Sequence, residues 1–207
     1  VCYDTRDGSE YFAKEAAAIL AANGIKVAIV QEDRPVGWFS YVISATRALG
    51  GLMITASHNP VGNNGIKLSS AYGGQLMPED GGSISDKYPH IELSSVKTMD
   101  FEQALGTGLI SYLDDQWNDS YMDSIVNIAE DSRLSDAYRD RERVWIIYDG
   151  LYGTARELTP DVLMLLGYQA REVKEHAVFD PHFTGLREYQ TLLIRRLLIW
   201  RGHKLMV

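Results

Sequence analysis

Apolar positions recur at two spacings along this chain, and the switches between them predict its elements. From Ser9 to Asn23, residues Phe12, Ala16, Ile19 and Leu20 fall at helical intervals on one face. Ser9 is available to cap the start of that helix, and Asn23-Gly24 to stop it in a left-handed turn. Ile25 to Val30 is a β-branched apolar run, the pattern of a strand buried on both faces. Phe39, Val42, Ile43, Thr46 and Leu49 return to helical spacing and end at Gly50-Gly51, and Leu52 to Ala56 forms a second short buried strand. Helix, strand, helix, strand in that order predicts an α/β layer fold with crossover connections.

The pattern weakens between Asp80 and Met99 into Gly, Ser, Pro and acidic residues, so part of this stretch is expected to be loop. Trp117, Tyr121, Ile125 and Ile128 mark another helix, and the charged, apolar-poor run Ser132 to Arg143 reads as a linker. A new unit follows. Val144 to Tyr148 is a strand, Thr159-Pro160 opens a helix that Gly167 stops, and Gln169 to Val173 is a further strand. Tyr189, Leu193, Leu197 and Trp200 line a closing helix. The order strand–helix–strand–helix–strand thus occurs once per half, giving two α/β units with the second unfinished. Val1-Cys2-Tyr3-Asp4 reads as the tail of a buried strand and Lys204 to Val207 as the opening of another, so the chain is expected to be a fragment.

Composition narrows the function classes. The 207 residues are 45% hydrophobic, which excludes a disordered or low-complexity chain. Twenty basic against 28 acidic residues give a formal net charge of −8 with no basic run, a poor match to nucleic acid. No apolar stretch approaches the roughly 18 residues needed to cross a bilayer, so no membrane partner is expected. The single cysteine, Cys2, cannot form an internal disulfide, and a cytoplasmic location is the expectation. His90, His176 and His203 show no ligand spacing, so zinc is not indicated. Oligomeric state is not legible.

The most unusual stretch is Gly51 to Pro60, which ends Thr55-Ala56-Ser57-His58-Asn59-Pro60, followed by Asn63-Asn64-Gly65-Ile66-Lys67. A buried strand delivers Ser57 and His58 to a loop that Pro60 and Gly62 force to turn. Hydroxyl, imidazole, amides and a lysine are thereby concentrated at a strand end, where α/β folds place their ligands. Neighbouring residues on an extended chain point to opposite sides, and no G-x-S-x-G elbow is present, so Ser57 and His58 are not expected to act as a hydrolase pair. The residues alone leave two readings open, a polar turn with an Asn-rich hairpin or a nucleophile loop.

Thr55 to Pro60 with Asn64-Gly65-Ile66-Lys67 resembles the phosphoserine loop of the α-D-phosphohexomutases, the phosphoglucomutase/phosphomannomutase family. Tyr3-Asp4-Thr5-Arg6 with the following helix, Arg34-Pro35, and Gly73-Gly74-Gln75 resemble other parts of that family's first domain. Tyr148-Asp149-Gly150-Leu151-Tyr152-Gly153 resembles the start of its second, and Asp180-Pro181-His182-Phe183 a loop that follows. The resemblance implies a phosphohexomutase-type α/β domain with a mixed sheet over residues 1–135, lacking its N-terminal segment. Residues 136–207 would be the start of a second similar domain, cut before its metal loop.

The resemblance also implies interconversion of hexose 1-phosphate and hexose 6-phosphate, glucose first and mannose second, through a phosphoserine and a hexose 1,6-bisphosphate. Ser57 would be the phosphoryl carrier, its phosphate one ligand of a Mg²⁺. Lys67 would stabilise charge or pass a proton, and His58 would position groups or do acid–base work. Arg6, Asn59 and Asn64 would shape the phosphate loop, with an ion pair to Asp4 or Asp7 the structural alternative for Arg6. Asp149 and His182 match family positions and read as structural. The chain alone is expected to be inactive, because the metal carboxylates and the substrate-phosphate site of the family are absent from it. The competing classes are a non-catalytic phosphosugar-binding or interaction module, and a hydrolase using Ser57.

Overall fold

The structure, a computed structural model, describes residues 1–131, 144–186, 198–201 and 204–206. The linker predicted at Ser132 to Arg143, and Tyr189, Leu193 and Leu197 of the predicted closing helix, lie outside the described residues. The chain divides into two compact units, Val1–Ala56 with Asn64–Asp114, and Ser57–Asn63 with Asp115–Val207.

The first unit runs β1 (Cys2–Tyr3), α1 (Ser9–Ala22), β2 (Val27–Ile29), α2 (Val36–Ala45), β3 (Gly50–Ile54), β4 (Ile66–Ser70), α3 (Pro78–Ser85), α4 (Phe101–Gly106) and β5 (Ile110–Tyr112). β1 lies parallel to β3, β3 antiparallel to β4, and β2 parallel to β5, so the pairing is mixed as expected. The Val30 N–H donates to the Val1 carbonyl at 3.2 Å and the Arg34 N–H to the Tyr3 carbonyl at 3.2 Å, which ties the end of β2 to β1. Ile29, Ile54 and Ile110 are among its fully buried side chains. Burying an aliphatic side chain of this size stabilises by about 1.5–3 kcal/mol.

The helix predicted from Ser9 is present, and Gly24 at φ 81° provides its left-handed stop. Two details differ. The face that packs inward is Ala13, Ala17, Ala18 and Ala21, while Phe12 is 48% exposed, because small side chains let a helix lie close on a sheet. The residue before the helix is Gly8 at φ 74°, and Ser9 does not cap. β2 buries Val27 and Ile29 but exposes Ala28, so it is covered on one face rather than two. α2 ends at Ala45, four residues short of Leu49, which is 96% exposed. Where α2 crosses β3, a Cβ on Gly51 would overlap the Ile43 and Phe39 side chains, so glycine is what permits the close approach.

The second unit contains α5 (Gln116–Asp131), β6 (Trp145–Tyr148), α6 (Leu158–Leu165), β7 (Gln169–Glu172), β8 (Leu198–Arg201) and β9 (Lys204–Met206). Its sheet order is β7-β6-β8-β9, with β6 parallel to β7 and antiparallel to β8. α5 packs on α6. Trp200 is not helical: it sits on β8 in register with Trp145, because cross-strand pairing rather than helical spacing decides this segment. Among the described residues, no helix is long and apolar enough to cross a membrane.

Candidate functional site

β3 and β4 form an antiparallel hairpin whose last paired residues are Ile54 and Ile66. Beyond that pair the Thr55 N–H donates to the Gly65 carbonyl at 2.8 Å, closing the mouth of the connection. Thr55 and Ala56 are buried, whereas residues 57–63 are exposed, so the strand end is packed inside and the loop is open to solvent. Within the loop the Asn63 N–H donates to the Pro60 carbonyl at 3.2 Å, and Gly62 adopts φ 91°. The turn expected from Pro60 and Gly62 therefore forms.

Ser57 adopts φ 58°, a left-handed conformation uncommon for a residue with a Cβ and frequent where strain is held for function. This changes the geometry expected for its neighbour. The backbone is not extended at Ser57, and its Oγ lies 3.4 Å from His58 Nδ1, a long but direct contact. The expectation that the two side chains diverge is thus corrected. His58 and Asn59 are both exposed on the loop.

Lys67 stands on β4, half-buried, with Met53 as its cross-strand partner. Arg6 is buried on the turn between β1 and α1, and its Nε lies 3.4 Å from Asp4 Oδ2, the ion pair offered as the structural alternative. Burial lowers the Arg6 pKa, partly offset by the Asp4 carboxylate. Asn64 shapes the return of the loop. Its Oδ1 accepts the Gly65 N–H at 2.8 Å, and its Nδ2 donates to the Asp7 carbonyl at 3.2 Å and to Ser9 Oγ at 2.8 Å. The structure thus gathers Arg6 and Asn64 around Asp4 and Ser9 in one hydrogen-bonded group.

Among the described residues, two clusters have no signature in the spacing of the sequence. One is the Asp4–Ser9–Asn64 group. The other lies in the second unit, where both Asp149 oxygens stand 2.9 Å from His176 Nδ1 and the Tyr152 ring packs against the imidazole at 5.0 Å, tilted by 55°. The only shared signal is the dipeptide Tyr-Asp at a strand end, Tyr3-Asp4 and Tyr148-Asp149. The described residues do not by themselves fit a Mg²⁺ site, since no three His, Cys, Asp or Glu side chains converge among them.

Residues 1–95 match the model of phosphoglucomutase/phosphomannomutase, alpha/beta/alpha domain I. Residues 1–95 are thus a domain I of the phosphoglucomutase/phosphomannomutase family. A phosphoglucomutase of Staphylococcus saprophyticus is 32% identical over 167 residues, 80% of this chain and 29% of that protein. A phosphomannomutase of Mycoplasmoides pirum is 30% identical over 148 residues, 71% of this chain and 26% of that protein. The fold is shared with the open form of the Paramecium phosphoglucomutase pp63/parafusin, at a TM-score of 0.62 and 20% identity, over 89% of this chain and 37% of that one. The chain thus spans about a third or less of the curated relatives it matches.

Proposed function

We propose that this chain is the serine-loop part of a phosphohexomutase that interconverts hexose 1-phosphate and hexose 6-phosphate. The observation that carries the reading is Ser57, held left-handed on an exposed loop whose stem is closed by hydrogen bonds, within the stretch that matches the family's first domain. Phosphoryl transfer asks little covalent chemistry of a protein, mainly a placed oxygen, an in-line approach and compensating charge.

In the forward half-reaction the P–Oγ bond of phosphorylated Ser57 breaks and a P–O6 bond to hexose 1-phosphate forms. The sugar hydroxyl loses its proton to a base and Ser57 Oγ regains one. His58, whose Nδ1 lies 3.4 Å from Ser57 Oγ, is suited to exchange the serine proton. Lys67 supplies a positive charge on the strand that follows the loop. The hexose 1,6-bisphosphate turns over, and its 1-phosphate passes back to Ser57 by the reverse bond changes. Asn59 belongs to the same loop and shapes the phosphate's surroundings.

Glucose 1-phosphate is the first choice of substrate and mannose 1-phosphate the second, because Thr55 rather than Ser opens the motif, which leans away from glucosamine phosphates. A first domain over residues 1–135, the opening of a second over 136–207, and a cytoplasmic setting belong to the same proposal. The test is a coupled assay on the full-length protein with trace hexose 1,6-bisphosphate. Conversion of glucose 1-phosphate at a higher kcat/KM than mannose 1-phosphate is expected. Folded protein that converts neither overturns the reading, and turnover of p-nitrophenyl esters instead would mark Ser57 as a hydrolytic nucleophile.

A further inference from the structure

Ser9 is 1% exposed, yet the mechanism above gives it nothing to do. Nor does it cap its own helix, the use its position invites, since α1 has no side-chain cap. Its hydroxyl instead accepts from Asn64 Nδ2 at 2.8 Å and donates to Asp4 Oδ1 at 2.7 Å. Asp4 is itself held by the Arg6 N–H at 3.1 Å on the same oxygen and by Arg6 Nε at 3.4 Å on the other. The Asn64 amide can face only one way. Reversing it would set its oxygen against the Asp7 carbonyl and its nitrogen against the Gly65 N–H.

The result is a polarised chain, amide N–H to hydroxyl to carboxylate, ending on a charge that Arg6 compensates. Bonds in such a chain reinforce one another in a buried setting. Asn64 is the residue on which the Ser57 loop returns to the hairpin. Asp4 also fixes the other stem, because its N–H donates to the Ile54 carbonyl at 3.1 Å, just ahead of Thr55.

We propose that Ser9, Asp4 and Asn64 are positioning residues: their relay locks both stems of the Ser57 loop, and through the order of that loop it governs how fast Ser57 exchanges a phosphoryl group. The effect on rate rests on the reading of Ser57 as carrier, whereas the effect on loop order does not. A carrier must present its phosphorus in line to the acceptor oxygen, and a misplacement of about 1 Å can lower the rate about a hundredfold.

The experiment compares full-length wild type with Ser9→Ala and Asn64→Asp, the second being nearly isosteric and serving if the first folds poorly. Amide hydrogen exchange across residues 55–65 is expected to speed up about tenfold or more, with residues 1–54 and 66–114 of the first unit little changed. Unchanged protection there, or a uniform loss over the whole unit, overturns the relay. In the same proteins kcat is expected to fall about 10–100-fold at unchanged KM, and the double variant to be no worse than the poorer single one. Faster loop exchange at wild-type kcat removes the link to rate. Wild type that takes no phosphate on Ser57 removes the carrier reading, while the exchange result still decides the relay.

Discussion

The two units use the same corner for different ends. Each contains a short strand that closes on Tyr-Asp, and in each the aspartate accepts the N–H two residues on, from Arg6 at 3.1 Å and from Leu151 at 3.0 Å. In the first unit the remaining capacity of Asp4 goes to Ser9 and Arg6, small or compensating partners, and the stem residues Ile54 and Thr55 from which the exposed serine loop leaves are buried. In the second, Asp149 takes His176, and Tyr152 packs against both that imidazole and Phe183, at 5.0 and 6.4 Å. Leu151, Tyr152 and Phe183 all hold positive φ there, so strain alone does not distinguish the two corners. What separates them is exposure: the strained Ser57 faces solvent, and the strained Tyr152 and Phe183 are buried. The first corner leads into an exposed loop, and the second packs its strained rings inward.

The largest contrast is expected from Ser57→Ala. Phosphoryl transfer in the full-length protein should fall at least about a thousandfold, since the carrier oxygen itself is gone. Thermal stability should hold or rise slightly with the left-handed strain changed little, and a coupled assay beside a melting curve reads both. Gly51→Ala should act in the opposite way. Its Cβ would overlap Ile43 and Phe39, and overpacking of that kind costs about 1–3 kcal/mol, seen as a lowered Tm in calorimetry.

His176→Ala sharpens the comparison at the second corner. Losing its bond to Asp149 and its tilted contact with Tyr152 should destabilise by about 1–3 kcal/mol in denaturant titration, with kcat of the folded protein kept within about twofold. A large fall in kcat would mean that the second corner also does chemistry. The smallest effect concerns Asp180, whose pKa is lowered first by the Thr184 hydroxyl and then by the Thr184 N–H. Because the folded pKa lies below the ordinary 3.8, the stabilisation is present above that value and is lost as pH falls through the folded one. Exchange of the Thr184 amide should therefore rise only in that acidic range.

Local rules made much of the fold legible. α1, the strand before the serine loop, and the Gly24 and Gly167 stops follow from periodicity and from glycine's access to positive φ. Periodicity misjudged the packing, however, because large apolar residues dominate a hydrophobic pattern while α1 meets the sheet through alanines. α4 and β5, of six and three residues, are too short for periodicity to register, although Asp100 caps α4 through the Gln103 N–H at 2.8 Å. Trp200 shows the converse, an apolar residue at helical spacing that a strand partner claimed. Ser57, His58 and Lys67 could be named from one contiguous motif. The relay could not, since Asn64 reaches Ser9 across 55 residues and Asp149 reaches His176 across 27, contacts that only the folded chain creates.

The most direct test of the account is the mass of the full-length protein after incubation with glucose 1,6-bisphosphate, with fragmentation to place any added phosphate. One phosphate, mapped to Ser57 and absent from Ser57→Ala, is the predicted result. Protein that stays folded and unmodified, or that carries its phosphate on another residue, would contradict the claim that the serine loop is a phosphoryl carrier.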